Sequence, residues 1–127
     1  MTRGRWSRRQ RADGGMVTAE LAAAIPALIF VLLVAVNAVM IGIDQVRCVD
    51  AARAAARAAA RGDSAQAVQE VGARAGPSGS AVSVAAGGAM VTVTVSAPVP
   101  GPFGWLVGGQ PLRASATTPV EDADPAP

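Results

Sequence analysis

Polar and apolar positions along this chain change character twice. An arginine-bearing polar stretch gives way at residues 21–43 to 23 consecutive residues without a formal charge, and beyond them Ala/Arg periodicity yields to short runs of alternating valine. At a helical rise of about 1.5 Å per residue, the uncharged run spans about 34 Å, enough to cross a hydrocarbon core. One membrane-spanning helix is therefore predicted. Pro26 removes a backbone hydrogen bond near its start and predicts a kink there. Asn37, polar and mid-span, either bonds across to another helix or returns to its own chain's preceding carbonyls.

After the span, residues 44–61 are dominated by Ala and Arg, both strong helix formers, and Gly62 marks the stop. The helix should thus continue beyond the membrane as a stalk. Arg53, Arg57 and Arg61 recur every four residues, forming either a solvated stripe opposite an Ala face or a docking ridge for another subunit or lipid phosphates. Residues 64–75 read as a second short helix with Ala67, Val68, Val71 and Ala75 on its apolar side. Two strands follow around a Gly87-Gly88 loop, with Val82 opposite Val93, Val84 opposite Val91 and Ala86 opposite Ala89. Those six apolar side chains then share one face, and Ser83 and Thr92 the other. Residues 98–110 form a Pro/Gly-rich connection presenting Phe103, Trp105 and Leu106, which either fold back as a lid on a small core or form a partner-binding tip. Leu112, Ala114, Ala116 and Thr118 alternate in a third strand, and residues 119–127 read as an acidic, Pro-rich disordered tail.

Charge sets the expected orientation. Residues 1–15 hold Arg3, Arg5, Arg8, Arg9 and Arg11 against Asp13, a net +4, which leaves −2 for residues 16–127 of the overall +2. Positive charge is retained inside, so the N-terminus is expected in the cytoplasm and the C-terminal part outside. The basic leader lacks the aromatic platform or folded reading element that nucleic-acid binding would use, and no such partner is expected.

Candidate chemistry is sparse. The chain has no His, Tyr or Lys and a single cysteine, Cys48. Such a set offers no usual zinc constellation, His-dependent triad or P-loop lysine, so neither enzyme activity nor a cofactor is expected. An intramolecular disulfide is impossible, and Cys48 reads as a small buried residue or an inter-subunit link. The 84 residues after Ile43 hold only Phe103 and Trp105 as aromatics, so any outer domain is small and built from Val, Ala and a few Leu.

One carboxylate stands out. Glu20 lies at the mouth of the apolar run, where a charge costs up to about 3 kcal/mol at the bilayer centre and less near the interface. A secretory signal peptide cut after Ala38 explains the arginines, but its apolar region is usually about 7–15 residues. A plain signal-anchor explains the length and leaves Glu20 among headgroups.

The sequence Gly14-Gly15-Met16-Val17-Thr18-Ala19-Glu20-Leu21 resembles the type IV prepilin processing signal. The resemblance implies cleavage by a membrane-embedded prepilin peptidase after Gly15, or after Gly14, leaving Met16 as the new first residue and Glu20 as the fifth. Glycine leaves the scissile backbone unhindered, and the pair is expected to stop the helix from running back into the leader. Residues one and five share a helical face, and a first-turn carboxylate suits the helix dipole. By resemblance to pilins, Glu20 pairs with the Met16 amine of a neighbouring subunit during assembly. The run Val17-Thr18-Ala19-Glu20-Leu21-Ala22-Ala23-Ala24-Ile25-Pro26, and the Ala/Arg helix from Arg47 to Asp63, look like the TadE family of minor pilins or pseudopilins. Leu21 in place of the usual Tyr, and the sizeable part after the span, depart from fibre-forming Flp major pilins.

The expected fold class is α+β. A cytoplasmic leader (1–15) precedes a transmembrane helix and stalk (16–62, span 21–43). A small helix-plus-three-stranded-antiparallel-sheet domain (63–118) and the tail (119–127) follow. The resemblance implies a single-pass protein of the cytoplasmic membrane, or one associated with a pilus. Its implied partners are the prepilin peptidase, other pilin-like subunits and the assembly or secretion machinery. An uncleaved envelope anchor or scaffold is the alternative.

Overall fold

The structure is a computed structural model that describes the backbone of residues 6–121 and the side chains from Gly14 to Glu121. Most of the leader's side chains and residues 122–127 of the expected tail lie outside the described residues. Element order is α1 (Trp6–Ala60), α2 (Ala65–Ala75), β1 (Ala81–Gly87), β2 (Met90–Ala97), a 3-10 turn (Gly104–Val107) and β3 (Leu112–Pro119). The chain divides into two compact units, Met1–Val36 and Asn37–Pro127, with α1 contributing to both.

In the first unit α1 is long and apolar enough to cross a membrane. Leu21, Ile25, Leu28, Ile29, Phe30, Val31, Leu32 and Leu33 are all at least half exposed, as a lipid-facing helix requires. One expectation about this helix needs revision. Gly14 and Gly15 do not stop it, because α1 begins at Trp6 and passes through them. Each glycine costs a helix about 1 kcal/mol relative to alanine, too little to interrupt a helix that propagates from both sides. Pro26 sits inside α1, which continues on both sides of it; Pro26 leaves the Ala22 carbonyl without its usual donor.

In the second unit the helix becomes one half of a core. Cys48, Ala51, Ala52, Ala55, Ala56 and Ala58 are buried, a spacing that lines one side of α1. Against them lie Val93, Val95 and Ala97 of β2, with Leu112, Ala114 and Ala116 of β3 completing the contact. Small helix residues bring the backbone close to the sheet, and the strand valines fill the gap. The helix ends by a Schellman arrangement: Gly62 adopts φ 81°, its N–H donates to the Ala59 carbonyl at 3.0 Å, and the Asp63 N–H donates to Ala58 at 3.2 Å. Ser64 then caps α2 by accepting from the Ala67 N–H at 3.3 Å. Helix α2 packs over β1 through Val68, Val71 and Gly72.

The sheet is an antiparallel meander in the order β1-β2-β3. Both helices lie on its inner face. The outer face carries Thr92 hydroxyl-bonded to Thr117 and Thr94 to Ser115, each at 2.8 Å. The expected division of faces is present, but the register is displaced by two residues: Val82 faces Val95, Val84 faces Val93 and Ala86 faces Val91. The turn is Gly88-Ala89, with Gly88 at φ 62° and no positive φ at Ala89. Glycine in the first central position is what a type II′ turn demands. The third strand alternates as expected, with Leu112, Ala114, Ala116 and Thr118 turned inward. The chain stays tied down at the start of the expected tail, because the Val120 N–H donates to Ala89 and the Glu121 N–H to the Ala60 carbonyl at the end of α1.

Candidate functional site

The sequence places its candidate chemistry at the head of α1. Met16 is 69% exposed and Glu20, four residues on, is also exposed, so both sit on one side of the helix. Among the described residues no cation pairs with Glu20. Thr18 donates its hydroxyl back to the Gly14 carbonyl at 2.9 Å. A Cβ added to Gly14 or Gly15 would meet nothing within 4 Å. These glycines therefore lie in open helix, and what their lack of a side chain supplies is access to the backbone and a lower cost of local unwinding. Pro26 lies six residues beyond Glu20, inside the same helix.

A second group of residues comes together around Asn37, and the sequence gives little warning of it. The bond that Asn37 makes within this chain does not return to its own preceding turn. Its side-chain Nδ2 donates to the Pro100 carbonyl at 2.8 Å, and the residue is 5% exposed. Gly101 lies against it so closely that a Cβ there would overlap the Asn37 amide, and Gly101 also holds φ 78°. Two turns further along α1, Gln45 donates to the Arg113 carbonyl at 2.9 Å. The side of α1 carrying Asn37, Gln45 and Cys48 is thus covered by the outer domain, while Val39, Met40, Ile43 and Val46 remain exposed on the other. A polar residue inside an apolar run was the one available signal, but its partner lies 63 residues away.

The connection between β2 and β3 does not form a lid over the core. Trp105 is 68% exposed, with Leu106 and Val107 about half exposed; Phe103 is half-buried. Between Pro98 and Gln110 there is no charged residue.

Other candidates resolve simply. Arg53 and Arg57 are exposed opposite the Ala face, and Arg61 bonds to Asp63 at 3.0 Å. The three arginines thus lie on the exposed side of α1, away from the alanines that pack on the sheet. Cys48 is fully buried against Val95 and Ala97. Burial, with the neighbouring Asp44 carboxylate adding to it, pushes its thiol pKa up. Asp44 itself lies 3.8 Å from Arg47. Among the described residues, no group of three or more His, Cys, Asp or Glu is placed to hold a metal ion.

Comparisons of this chain with protein-family models, with curated proteins and with solved structures find no match.

Proposed function

We propose that this chain is a TadE-like minor pilin or pseudopilin, cut by a prepilin peptidase at Gly15-Met16 and serving assembly of a tight-adherence pilus or a related secretion apparatus. The observation that carries this reading is the placement of Glu20: an exposed carboxylate, one turn from exposed Met16, at the head of an apolar helix. Cleavage would create an amine on Met16, and Glu20 of one subunit would meet that amine on the next, each neutralising the other in a low-dielectric setting. Pro26 would let the helix bend as it packs beside its neighbours. The small sheet carried on the far half of α1 would be the part presented outside the cytoplasm. Peptidase attack needs an accessible backbone, and replacing two alanines by two glycines lowers helix stability by about 2 kcal/mol, which makes opening at the cut site cheap.

The unbroken course of α1 through Gly14 and Gly15 favours a second reading, an uncleaved single-pass anchor or scaffold of the cell envelope. The N-terminal residue separates the two. Intact mass and N-terminal sequence would be measured on membrane-extracted protein made with and without a matching prepilin peptidase. A start at Met16 only in the presence of the peptidase supports the pilin reading, and a leader retained in both cases supports the anchor.

A further inference from the structure

We propose that the turn at residues 103–107 is a second membrane contact, seated in the interfacial layer of the leaflet on the outer-domain side, beside α1 at the level of Asn37. This rests on α1 crossing a membrane and not on the pilin reading.

Three observations point to lipid as the occupant. The first is position. The Asn37 amide holds the Pro100 carbonyl and closes on Gly101, which fixes the start of the connection against α1. Asn37 lies about 9 Å short of Ile43, where the uncharged run ends, so the connection it holds meets α1 within two turns of the outer end of the span. Exposed Val39, Met40 and Ile43 continue the apolar surface from there.

The second is composition. From Ala75 to Leu112 the chain carries no charged side chain, and the tip presents Trp105, Leu106 and Val107 to the outside. Exposed tryptophan beside aliphatic residues, with no charge to keep them in water, suits the headgroup boundary, where an indole is half in apolar and half in polar surroundings.

The third is the state of the backbone. Irregular chain at the headgroup boundary keeps water within reach, and part of its polar backbone is satisfied internally here, while Asn37 Oδ1 is buried without a partner. Pro98, Pro100, Pro102 and Pro111 have no N–H to satisfy. The Pro100 carbonyl accepts from Asn37. Within the tip, Leu106 N–H donates to Phe103, Gly108 N–H to Trp105 and Gly109 N–H to Gly104, at 3.0–3.2 Å. Gly108 and Gly109, at φ 81° and 64°, make these closing bonds possible.

The test uses the full chain with Trp6→Phe, which leaves Trp105 as the sole tryptophan. The protein is reconstituted in phosphatidylglycerol/phosphatidylcholine vesicles whose acyl chains are brominated close to the headgroup. The expected result is severalfold quenching of Trp105 relative to unbrominated vesicles, unchanged as the protein-to-lipid ratio is lowered. Adding Asn37→Ala should weaken that quenching by releasing the connection. Equal emission in brominated and plain vesicles, with the chain resisting alkaline extraction, overturns the tip contact while leaving the spanning helix intact. Shielding of Trp105 that appears only at high protein density overturns it in favour of contact between copies. A chain that alkaline washing removes overturns both the tip contact and the span.

Discussion

The side-chain amide of Asn37 and the carbonyl of Pro100 meet at 2.8 Å across 63 residues of sequence. Through this bond the apolar helix holds the connection that follows β2. Its loss leaves a part-buried carbonyl without a donor, a cost of about 1–3 kcal/mol at most. Asn37→Ala should therefore raise amide hydrogen exchange at Leu106, Gly108 and Gly109 by tens-fold or more while exchange in residues 51–58 stays unchanged. Equal protection in variant and parent would show that the bond contributes nothing.

Gly72 faces β1 with no room for a methyl group: a Cβ would lie 2.8 Å from Val82 Cγ2 and 3.4 Å from the Ala55 Cβ. Alanine would gain about 1 kcal/mol of helix propensity, whereas overpacking costs about 1–3 kcal/mol. Gly72→Ala is expected to destabilise the outer domain by about 1 kcal/mol net in denaturant unfolding. The same change made in a Val82→Ala background should stabilise, and a sign that does not reverse would refute the steric account.

Val93 and Thr94 are neighbours on opposite faces of β2, one fully buried and the other bonded to Ser115 on the outer face. Val93→Thr keeps the shape but buries a hydroxyl, at a cost of about 1–3 kcal/mol. Thr94→Val exchanges an exposed hydroxyl bond for a methyl and should fall within about 0.5 kcal/mol of the parent. Comparable losses from the two would mean that the faces are wrongly assigned.

Cys48 should resist alkylation in the folded chain. Burial, with Asp44 adding to it, raises its thiol pKa above the ordinary thiol range, whereas in the unfolded chain it ionises normally. Thiol linkage therefore contributes fully at pH values below the unfolded pKa, and this stability is lost as pH rises toward the folded value. Maleimide labelling at pH 7.5 should be slow until denaturant is added, and oxidants should give no cross-linked dimer. Rapid labelling of folded protein would contradict the packing around Val95.

Under the proposed pilin function, Glu20→Ala leaves membrane insertion intact, because it removes an exposed charge at the helix head. Incorporation into the apparatus should fall by tenfold or more, read by co-purification with the other subunits. Unchanged incorporation would count against any pairing role for Glu20.

How much of this was legible in the sequence depends on the range of the interaction. Local rules suffice for the end of α1, where Gly62 follows an Ala/Arg run, and for Ser64 as the cap of α2. Alternating valines assign the faces of β1 and β2, since a slip of one residue would turn every valine outward. A slip of two keeps the faces, so hydrophobic pattern alone does not choose between a Gly87-Gly88 turn and the observed Gly88-Ala89 turn. Turn chemistry does not choose either, because both turns place a glycine at the first central position. Asn37 was legible as unusual but not as a clamp, because its partner is a backbone carbonyl and carries no side-chain signature. Trp105 misled in the other direction: in a small domain short of aromatics it reads as core, yet the space under the sheet is already filled by the alanine side of α1. Under the proposed function the role of Glu20 would lie in contacts beyond a single chain, and its position is all that the fold supplies.

The alanine side of α1 also imposes an order of events on synthesis. Cys48, Ala51, Ala52 and Ala55 form the floor on which β2 and β3 are laid, and they leave the ribosome before any strand does. Each later strand finds its antiparallel neighbour already made, β2 on β1 and β3 on β2, so the polypeptide can assemble vectorially with every long-range contact directed backward. A fragment begun after Ala60 would carry the three strands and α2 but no floor. It would expose the inward valines of the sheet and should aggregate, so excision at the membrane surface would not release a working soluble module.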